Sequence, residues 1–118
     1  MNLLKSISHA LNGIRYSSIN ETNFRIHLFA TFTIVLAGFC FEMSSAEWLS
    51  VVICCMLVLA AEMVNTALET LCNCVTQGYS PAIKLVKDIA AGAVLLTSLG
   101  SLIVTAIIFT PKIIFLFN

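Results

Sequence analysis

Three long apolar stretches, separated by short polar segments, dominate the pattern of the chain. They predict membrane-spanning helices at residues about 26–43, 48–71 and 89–110. A helical crossing requires about 20 predominantly apolar residues, a length that the second and third stretches reach and the first approaches. Ser80 and Pro81 are favourable cap and first-turn residues for the helix that contains the third span. We expect Pro111 to end that helix.

The N-terminal segment, residues about 1–20, has a different pattern. Its apolar residues recur at helical spacing, with most polar residues elsewhere around the helix, and the apolar set is Leu3, Leu4, Ile7, Leu11 and Ile14. This arrangement predicts an amphipathic helix lying along the membrane surface. Residues 17–23 are predicted to form a turn, in which Asn20 or Thr22 caps the first spanning helix.

Composition agrees with a small all-α membrane protein. The 118 residues are 59% hydrophobic and 10% charged, whereas soluble domains average about 25% charged residues. The length is that of one domain, residues 1–118. The equal numbers of basic and acidic residues, six of each, give no indication of a nucleic-acid partner.

The distribution of the basic residues predicts the orientation. Lys112 stands alone after the third span, whereas the other five basic residues lie near the N-terminus or in the second loop: Lys5, Arg15, Arg25, Lys84 and Lys87. Short cytoplasmic segments are enriched in Lys and Arg. The N-terminus and the second loop are therefore predicted to be cytoplasmic.

The second span carries a polar stripe. In a helix, Glu62, Asn65 and Glu69 stand at i, i+3 and i+7 and share one face. An ionised side chain near the bilayer centre costs about 2.5 to 3.5 kcal/mol on insertion scales. Two carboxylates on this face therefore require a metal, a proton, a partner or a substrate.

Phosphoryl transfer is one chemistry that these residues can support. It requires a cation on the phosphates, a positive side chain near the transferred group, and a group that positions or deprotonates the attacking hydroxyl. Glu21 and Glu69 are oxygen ligands of the kind that Mg²⁺ prefers. Lys87 is a candidate phosphate contact, and Asp88 could orient it.

The remaining two candidates lie deeper. Glu62, being partly desolvated, suits a general base, and Asn65, one turn away, could hold a hydroxyl or a ligand water. The sequence contains neither a Walker-type phosphate loop nor the protein kinase signatures.

Other interpretations stay open from spacing alone. Glu62 and Asn65 could hydrogen-bond between packed helices in a purely structural bundle. An oligomer that translocates ions or protons could use Glu62 and Glu69. Lys84 and Asp88 stand at i and i+4, as in an ordinary solvated helix pair.

Two further residues have simple alternative interpretations. Glu21 is by default a surface charge. His27 is expected to be an interfacial polar group rather than a ligand.

Two motifs resemble those of a known family. Residues 62–69, EMVNTALE, resemble the E-x-x-N-T-A-x-E signature of the prokaryotic diacylglycerol kinase and undecaprenol kinase family, and residues 84–95, KLVKDIAAGAVL, resemble its K-x-x-K-D-x-A-A-x-A-V-L signature. Residues 13–16 and 20–27 are similar to the family's N-terminal segment, and residues 47–49 to the start of its second span. The resemblance extends over about residues 3–109.

The resemblance implies an integral membrane lipid kinase that uses ATP and Mg²⁺. It implies a homotrimer of three-span subunits with a surface helix, in a bacterial inner membrane, with active sites between subunits at the cytoplasmic face. Residue by residue, it assigns the catalytic base to Glu62, with Asn65 beside it. It assigns the metal to Glu21 and Glu69.

The nucleotide side of the site follows in the same way. The resemblance assigns Lys87 and Asp88 to the nucleotide, and Arg15, in the matching N-terminal segment, is predicted as a further substrate or nucleotide contact. The chain departs from the family pattern at Asn73, where an aspartate is usual, and at His27, where certain members have glutamate. With histidine at position 27, the N-terminal motif resembles that of the undecaprenol-phosphorylating branch of the family. Undecaprenol is thus the favoured lipid alcohol, and diacylglycerol is the alternative.

Overall fold

Four helices make up residues 2–118. The structure is a computed structural model that describes residues 2–118, and no strand occurs within that range. The helices are α1 (Leu3–Asn20), α2 (Thr22–Cys40), α3 (Ser45–Val75) and α4 (Pro81–Phe117). The last three are long and apolar enough to cross a membrane. The prediction of an all-helical membrane protein with three spans is therefore confirmed, and the chain is a multi-pass membrane protein.

Side-chain caps fix the starts of the two longest helices. The Ser44 hydroxyl accepts from the backbone N–H of Glu47 at 3.2 Å, and the Glu47 carboxylate accepts from the backbone N–H of Ser44 at 3.1 Å. This reciprocal capping box begins α3. The Ser80 hydroxyl caps α4, with Pro81 as the first helical residue. The predicted start of α4 is thus confirmed.

The predicted cap of α2 was wrong. Asn20 is the last residue of α1 and Thr22 the first of α2, so Glu21 alone separates the two helices, without a side-chain cap bond. The backbone explains this tight junction. The N–H of Glu21 donates to Ser17 O at 3.0 Å and its carbonyl accepts from Arg25 N at 3.1 Å. Helical hydrogen bonds thus run up to Glu21 from both sides.

The expectation that Pro111 ends the third spanning helix was also wrong. Pro111 lies inside α4, which continues to Phe117. Proline removes one backbone hydrogen bond, but helices in membranes tolerate this because neighbouring groups adjust locally. The extension also carries Lys112 to the turn between α2 and α3.

Helix α3 is the centre of the subunit and packs against each of the other three helices. At one end, a small core of Val51, Cys55, Ile108 and Phe109 joins α3 to α4. There Lys112 Nζ lies 3.1 Å from Glu47 Oε2 and 3.3 Å from the carbonyl oxygen of Glu42. The turn between α2 and α3 and the end of α4 therefore share one end of the molecule. The junction of α1 with α2 and the loop between α3 and α4 lie towards the other.

Candidate active site

The polar stripe of α3 faces the protein interior. Glu62 is 2% exposed, Asn65 8% and Thr66 7%. Helical periodicity places these side chains together, and packing of the other helices against α3 covers them. A carboxylate this buried, within a helix that can span a membrane, has been removed from both water and lipid.

Glu62 and Asn65 line a cavity of about 330 Å³, here called the Glu62 cavity. Three helices contribute to its wall, and the other lining residues are Asn23, His27, Ala91, Val94, Leu95 and Ser98. Polar groups from α2 and α4 thus converge on the carboxylate of α3. The cavity is large enough to admit a small polar group next to Glu62.

Further titratable residues lie near Glu62 on three elements of the structure. The nearest of them are His27 on α2, which lines the same cavity, Glu69 on α3 and Glu21 at the junction of α1 and α2. Glu69 is exposed, and its Oε1 lies 3.5 Å from Asn65 Nδ2. The three predicted acidic residues therefore belong to one region of the structure, with Glu62 its buried member.

The middle of α1 lies against α3 beside this region. A Cβ added at Gly13 would be 3.8 Å from the terminal methyl of Met63, the neighbour of Glu62. One turn further along α1, Ser17 is buried at 4% exposure. Arg15 lies between them in sequence but is exposed. The helix that carries Arg15 is therefore near the site, while the Arg15 side chain faces outward.

The two residues predicted to bind nucleotide have different partners. Lys87 Nζ donates a hydrogen bond of 2.8 Å to Oδ1 of Asn73, which lies near the end of α3. Asp88 forms an ion pair with Lys84 at 2.6 Å, with both side chains about three-fifths exposed. The i, i+4 helix pair considered for Lys84 and Asp88 is therefore present. Lys87 precedes Ala91 of the cavity wall by one helical turn.

Sequence reasoning missed three polar residues of the cavity wall, namely Asn23, His27 and Ser98. His27 was expected to be an interfacial polar group, whereas it lines the cavity that contains Glu62. Helical spacing offered a signal for Ser98, because it continues the face of α4 that passes through Lys87, Ala91 and Val94. Nothing in the spacing indicated which neighbouring helix this face meets.

Glu21 and Glu69 carry the carboxylate oxygens that a magnesium ion takes as ligands. Within residues 2–118, no group of three or more His, Cys, Asp or Glu side chains could hold a metal ion by itself. Mg²⁺ typically uses one or two carboxylates together with waters and substrate phosphates. The two carboxylates of Glu21 and Glu69 match that requirement in number and chemistry.

Comparison with known proteins identifies the family. The family described as "Prokaryotic diacylglycerol kinase" matches residues 8–109 of this chain. The chain belongs to this family. The match contains the stripe of α3, the loop after it, and the wall of α4 up to Phe109. It confirms the predicted family and the prediction of a lipid kinase.

Individual relatives agree with this membership. The chain is 35% identical over 109 residues to an undecaprenol kinase of Bacillus subtilis, covering 92% of this chain and 89% of that protein. It is 34% identical over 114 residues to a diacylglycerol kinase of Synechocystis, covering 96% of this chain and 65% of that protein. A diacylglycerol kinase of Helicobacter pylori is 30% identical over 95 residues, with coverage of 80% and 73%. These comparisons give no support to the alternatives of an ion-translocating oligomer or a purely structural bundle.

Proposed function

We propose that this protein transfers the γ-phosphoryl group of ATP, with Mg²⁺, to the hydroxyl of undecaprenol. The observation that carries the proposal is the burial of Glu62, 2% exposed, in a polar cavity inside a membrane-spanning helix bundle. A lipid alcohol can present its hydroxyl at that depth, and a buried carboxylate can accept the proton of that hydroxyl.

Glu62 acts as the general base of the proposed reaction. The Glu62 carboxylate takes the hydroxyl proton as the hydroxyl oxygen forms a bond to the γ-phosphorus. The bond between the γ-phosphorus and the oxygen that bridges to the β-phosphorus breaks, and ADP leaves with the electron pair. General-base assistance of this kind contributes about 10² to 10⁴ in rate. Asn65, one turn from Glu62, holds the hydroxyl or a water beside it.

The phosphates are bound at the end of the bundle near Glu21 and Glu69, which would hold the metal ion. Bound there, Mg²⁺ would neutralise phosphate charge and so favour attack at phosphorus. Lys87 would contact a phosphate. Asp88 would bind the nucleotide after its exposed ion pair with Lys84 breaks. Arg15 would turn inward to a phosphate, which its exposed position on α1 permits.

Undecaprenol is the proposed acceptor because the relative with 35% identity is named undecaprenol kinase and nine-tenths of each chain takes part in the match. Two other relatives are named diacylglycerol kinase. Diacylglycerol is therefore the second candidate. The mechanism would be the same with either acceptor.

The proposed assembly is a homotrimer in a bacterial inner membrane, and the proposed orientation places the N-terminus and the second loop in the cytoplasm. Lys112 lies at the end that carries the turn between α2 and α3, apart from Lys87 and the other basic residues. This separation supports the proposed orientation. Large apolar side chains exposed on α2, α3 and α4 leave ample surface for lipid and for neighbouring subunits.

The test measures transfer of labelled phosphate from ATP by the purified protein in mixed micelles, with undecaprenol and diacylglycerol offered in parallel. Glu62→Gln is the diagnostic variant. Glu42→Gln is the matched control, because Glu42 is exposed in the turn at the opposite end of the molecule. We expect preferential labelling of undecaprenol, its loss in Glu62→Gln and its retention in Glu42→Gln.

Two results would change the proposal. Preferential labelling of diacylglycerol would keep the mechanism and replace the acceptor. If folded protein in the presence of Mg²⁺ labels neither lipid, the proposed activity is wrong.

A further inference from the structure

Glu21 is the single residue that joins α1 to α2. Its backbone is extended, with φ −109° and ψ 109°, whereas the residues on both sides of it are helical. The Glu21 side chain makes no cap bond to the start of α2. The direction in which the Glu21 carboxylate points therefore depends on the angle at which the two helices meet.

Arg25 makes the contact that crosses this junction. Its Nη1 donates a hydrogen bond to the carbonyl oxygen of Ile19, in the last turn of α1. Its Nη2 donates to the hydroxyl of Thr22, the first residue of α2, at 3.1 Å. The first bond ties α2 to α1, and the second orients the planar guanidinium fork so that the first can form. The two bonds together are here called the Arg25 clamp.

The guanidinium of Arg25 acts on the backbone and not on a carboxylate. The last carbonyl groups of a helix lack partners within the helix, and a cation near that end is favourable. Within residues 2–118, the ion pairs join Lys84 to Asp88 and Lys112 to Glu47, and none includes Arg25. A charged donor makes a stronger hydrogen bond than a neutral one. The clamp can therefore hold the junction although Arg25 is exposed.

Packing fixes each helix next to the junction but not the angle between them. Ser17 is 4% exposed and Phe24 is 3% exposed, so α1 and α2 are each anchored within one turn of Glu21. Within residues 2–118, the backbone hydrogen bonds of the junction end at Glu21 from either side. The side-chain bond from Arg25 to Ile19 spans it and thereby restrains the remaining rotation.

We propose that Arg25 is a positioning residue for Glu21, and that the Arg25 clamp sets the angle between α1 and α2 that presents the Glu21 carboxylate to the metal ion. This inference rests on the proposed function, in which Glu21 and Glu69 hold Mg²⁺, and deepens it. Mg²⁺ requires near-ideal ligand geometry, so a site with two protein carboxylates depends on the orientation of each. Groups that orient a ligand typically change metal affinity by about 10- to 100-fold.

Manganese binding tests this position without turnover. Mn²⁺ shares the oxygen ligands of Mg²⁺ and is paramagnetic, so electron paramagnetic resonance measures its binding to purified protein in mixed micelles with β,γ-imido-ATP. Arg25→Ala should raise the Kd for Mn²⁺ about tenfold. In a protein that already carries Glu21→Gln, Arg25→Ala should have no further effect, because a residue that acts through Glu21 then has no carboxylate to position.

Three further variants separate geometry from charge, and they keep the test valid if Arg25→Ala does not fold. Arg25→Lys keeps the charge without the fork and should restore only part of the affinity. Thr22→Val removes the acceptor of Nη2 and should raise the Kd for Mn²⁺ about threefold. Asn20→Ala is the matched control, because it removes a 3.1 Å bond to the carbonyl of Tyr16 within α1 that does not cross the junction. It should leave the Kd unchanged.

The transfer assay distinguishes positioning from simple stabilisation of α1. In Arg25→Ala, the Mg²⁺ concentration for half-maximal phosphorylation of undecaprenol should rise, and the rate should recover at saturating Mg²⁺. KM for the lipid should be unchanged. A helix cap without a positioning role would lower the amount of folded protein, and so the rate at every Mg²⁺ concentration, but would leave the half-maximal concentration where it was.

The outcomes separate this inference from the proposed function. The inference is wrong if Glu21→Gln weakens Mn²⁺ binding and Arg25→Ala does not, or if Arg25→Ala has the same effect with and without Glu21→Gln. Full recovery in Arg25→Lys would show that charge alone is sufficient, which also overturns it. An active protein whose Mn²⁺ affinity is unchanged by Glu21→Gln would remove Glu21 from the metal site, and the inference with it. If the unaltered protein phosphorylates neither lipid, the proposed function itself fails.

Discussion

Lys87 Nζ donates a hydrogen bond of 2.8 Å to the side-chain oxygen of Asn73, fourteen residues earlier in the chain. The bond joins the end of α3 to the first turns of α4. Because the amide carries no charge, the positive charge of Lys87 is not neutralised by this partner. Lys87 therefore keeps its electrostatic attraction for a phosphate while it is held in place.

Asn73→Asp should weaken nucleotide binding. The new carboxylate would pair with Lys87 and repel phosphate, so KM for ATP should rise about two- to fivefold, the range expected for a partly exposed charge pair. The rise should shrink as salt increases, because screening weakens interactions between exposed charges. Initial rates at several ATP and salt concentrations measure this. Asn73→Ala adds no charge and should leave KM for ATP within about twofold; an equal rise in both variants would contradict the electrostatic explanation.

Glu62→Gln should separate activity from stability. Loss of a general base should lower kcat by about 10² or more. The thermal unfolding midpoint in detergent should stay equal or rise, because the amide removes the cost of burying a charge. Circular dichroism on heating, combined with the transfer assay, gives both quantities. A variant that is inactive and also markedly less stable would indicate a mainly structural role for Glu62.

Glu69→Gln should raise the magnesium requirement. If Glu69 supplies one of two carboxylate ligands, the Mg²⁺ concentration for half-maximal rate should increase about tenfold, in the range seen when ligand environments are weakened. KM for the lipid should change little, because Glu69 is exposed and does not itself line the Glu62 cavity. Titration of Mg²⁺ after chelation of the purified protein provides the measurement. An unchanged Mg²⁺ titration curve would remove Glu69 from the proposed metal site.

Gly38→Ala should destabilise the packing of α2 on α3. An added Cβ would lie 2.7 Å from Cη2 and 3.0 Å from Cζ2 of Trp48. The Trp48 ring also packs against Phe39, with ring centroids 4.9 Å apart, so it has little room to move. Overpacking of this kind costs about 1 to 3 kcal/mol. The free energy of unfolding in mixed micelles should fall accordingly, whereas Gly100→Ala, with open space around it, should cause no loss.

The two lysine–carboxylate pairs should differ in their contribution to stability. Lys112 and Glu47 lie 3.1 Å apart at 23% and 28% side-chain exposure, and Lys112 also donates to the carbonyl of Glu42. Lys84 and Asp88 are closer, at 2.6 Å, but are 61% and 59% exposed. Lys112→Gln should cost about 1 kcal/mol, while Lys84→Gln should cost less than about 0.5 kcal/mol, since water screens an exposed pair. The free energies of unfolding of both variants, measured under identical conditions, test this prediction. An equal loss of stability in the two variants would show that exposure of the ion pair is not the controlling factor.

Much of the fold was determined by the sequence itself. Apolar stretches of sufficient length required helices in a membrane, because an unpaired backbone amide is very unfavourable there. The start at Ser80 and Pro81 followed from local hydrogen bonding and backbone geometry. The spacing of Glu62, Asn65 and Glu69 placed them on one face, and two long motifs indicated the family. Each of these features depends on residues within a few turns of one another.

Only the tertiary structure decided which side chains from different helices meet. It brought His27 and Ser98 to the cavity of Glu62, gave Lys87 the partner Asn73, and continued α4 past Pro111 so that Lys112 reaches Glu47. Local pattern defines a face of a helix but not the neighbour that this face meets. That choice depends on how α2 and α4 are rotated and inclined as they pack on α3, which is set by contacts between residues far apart in the sequence.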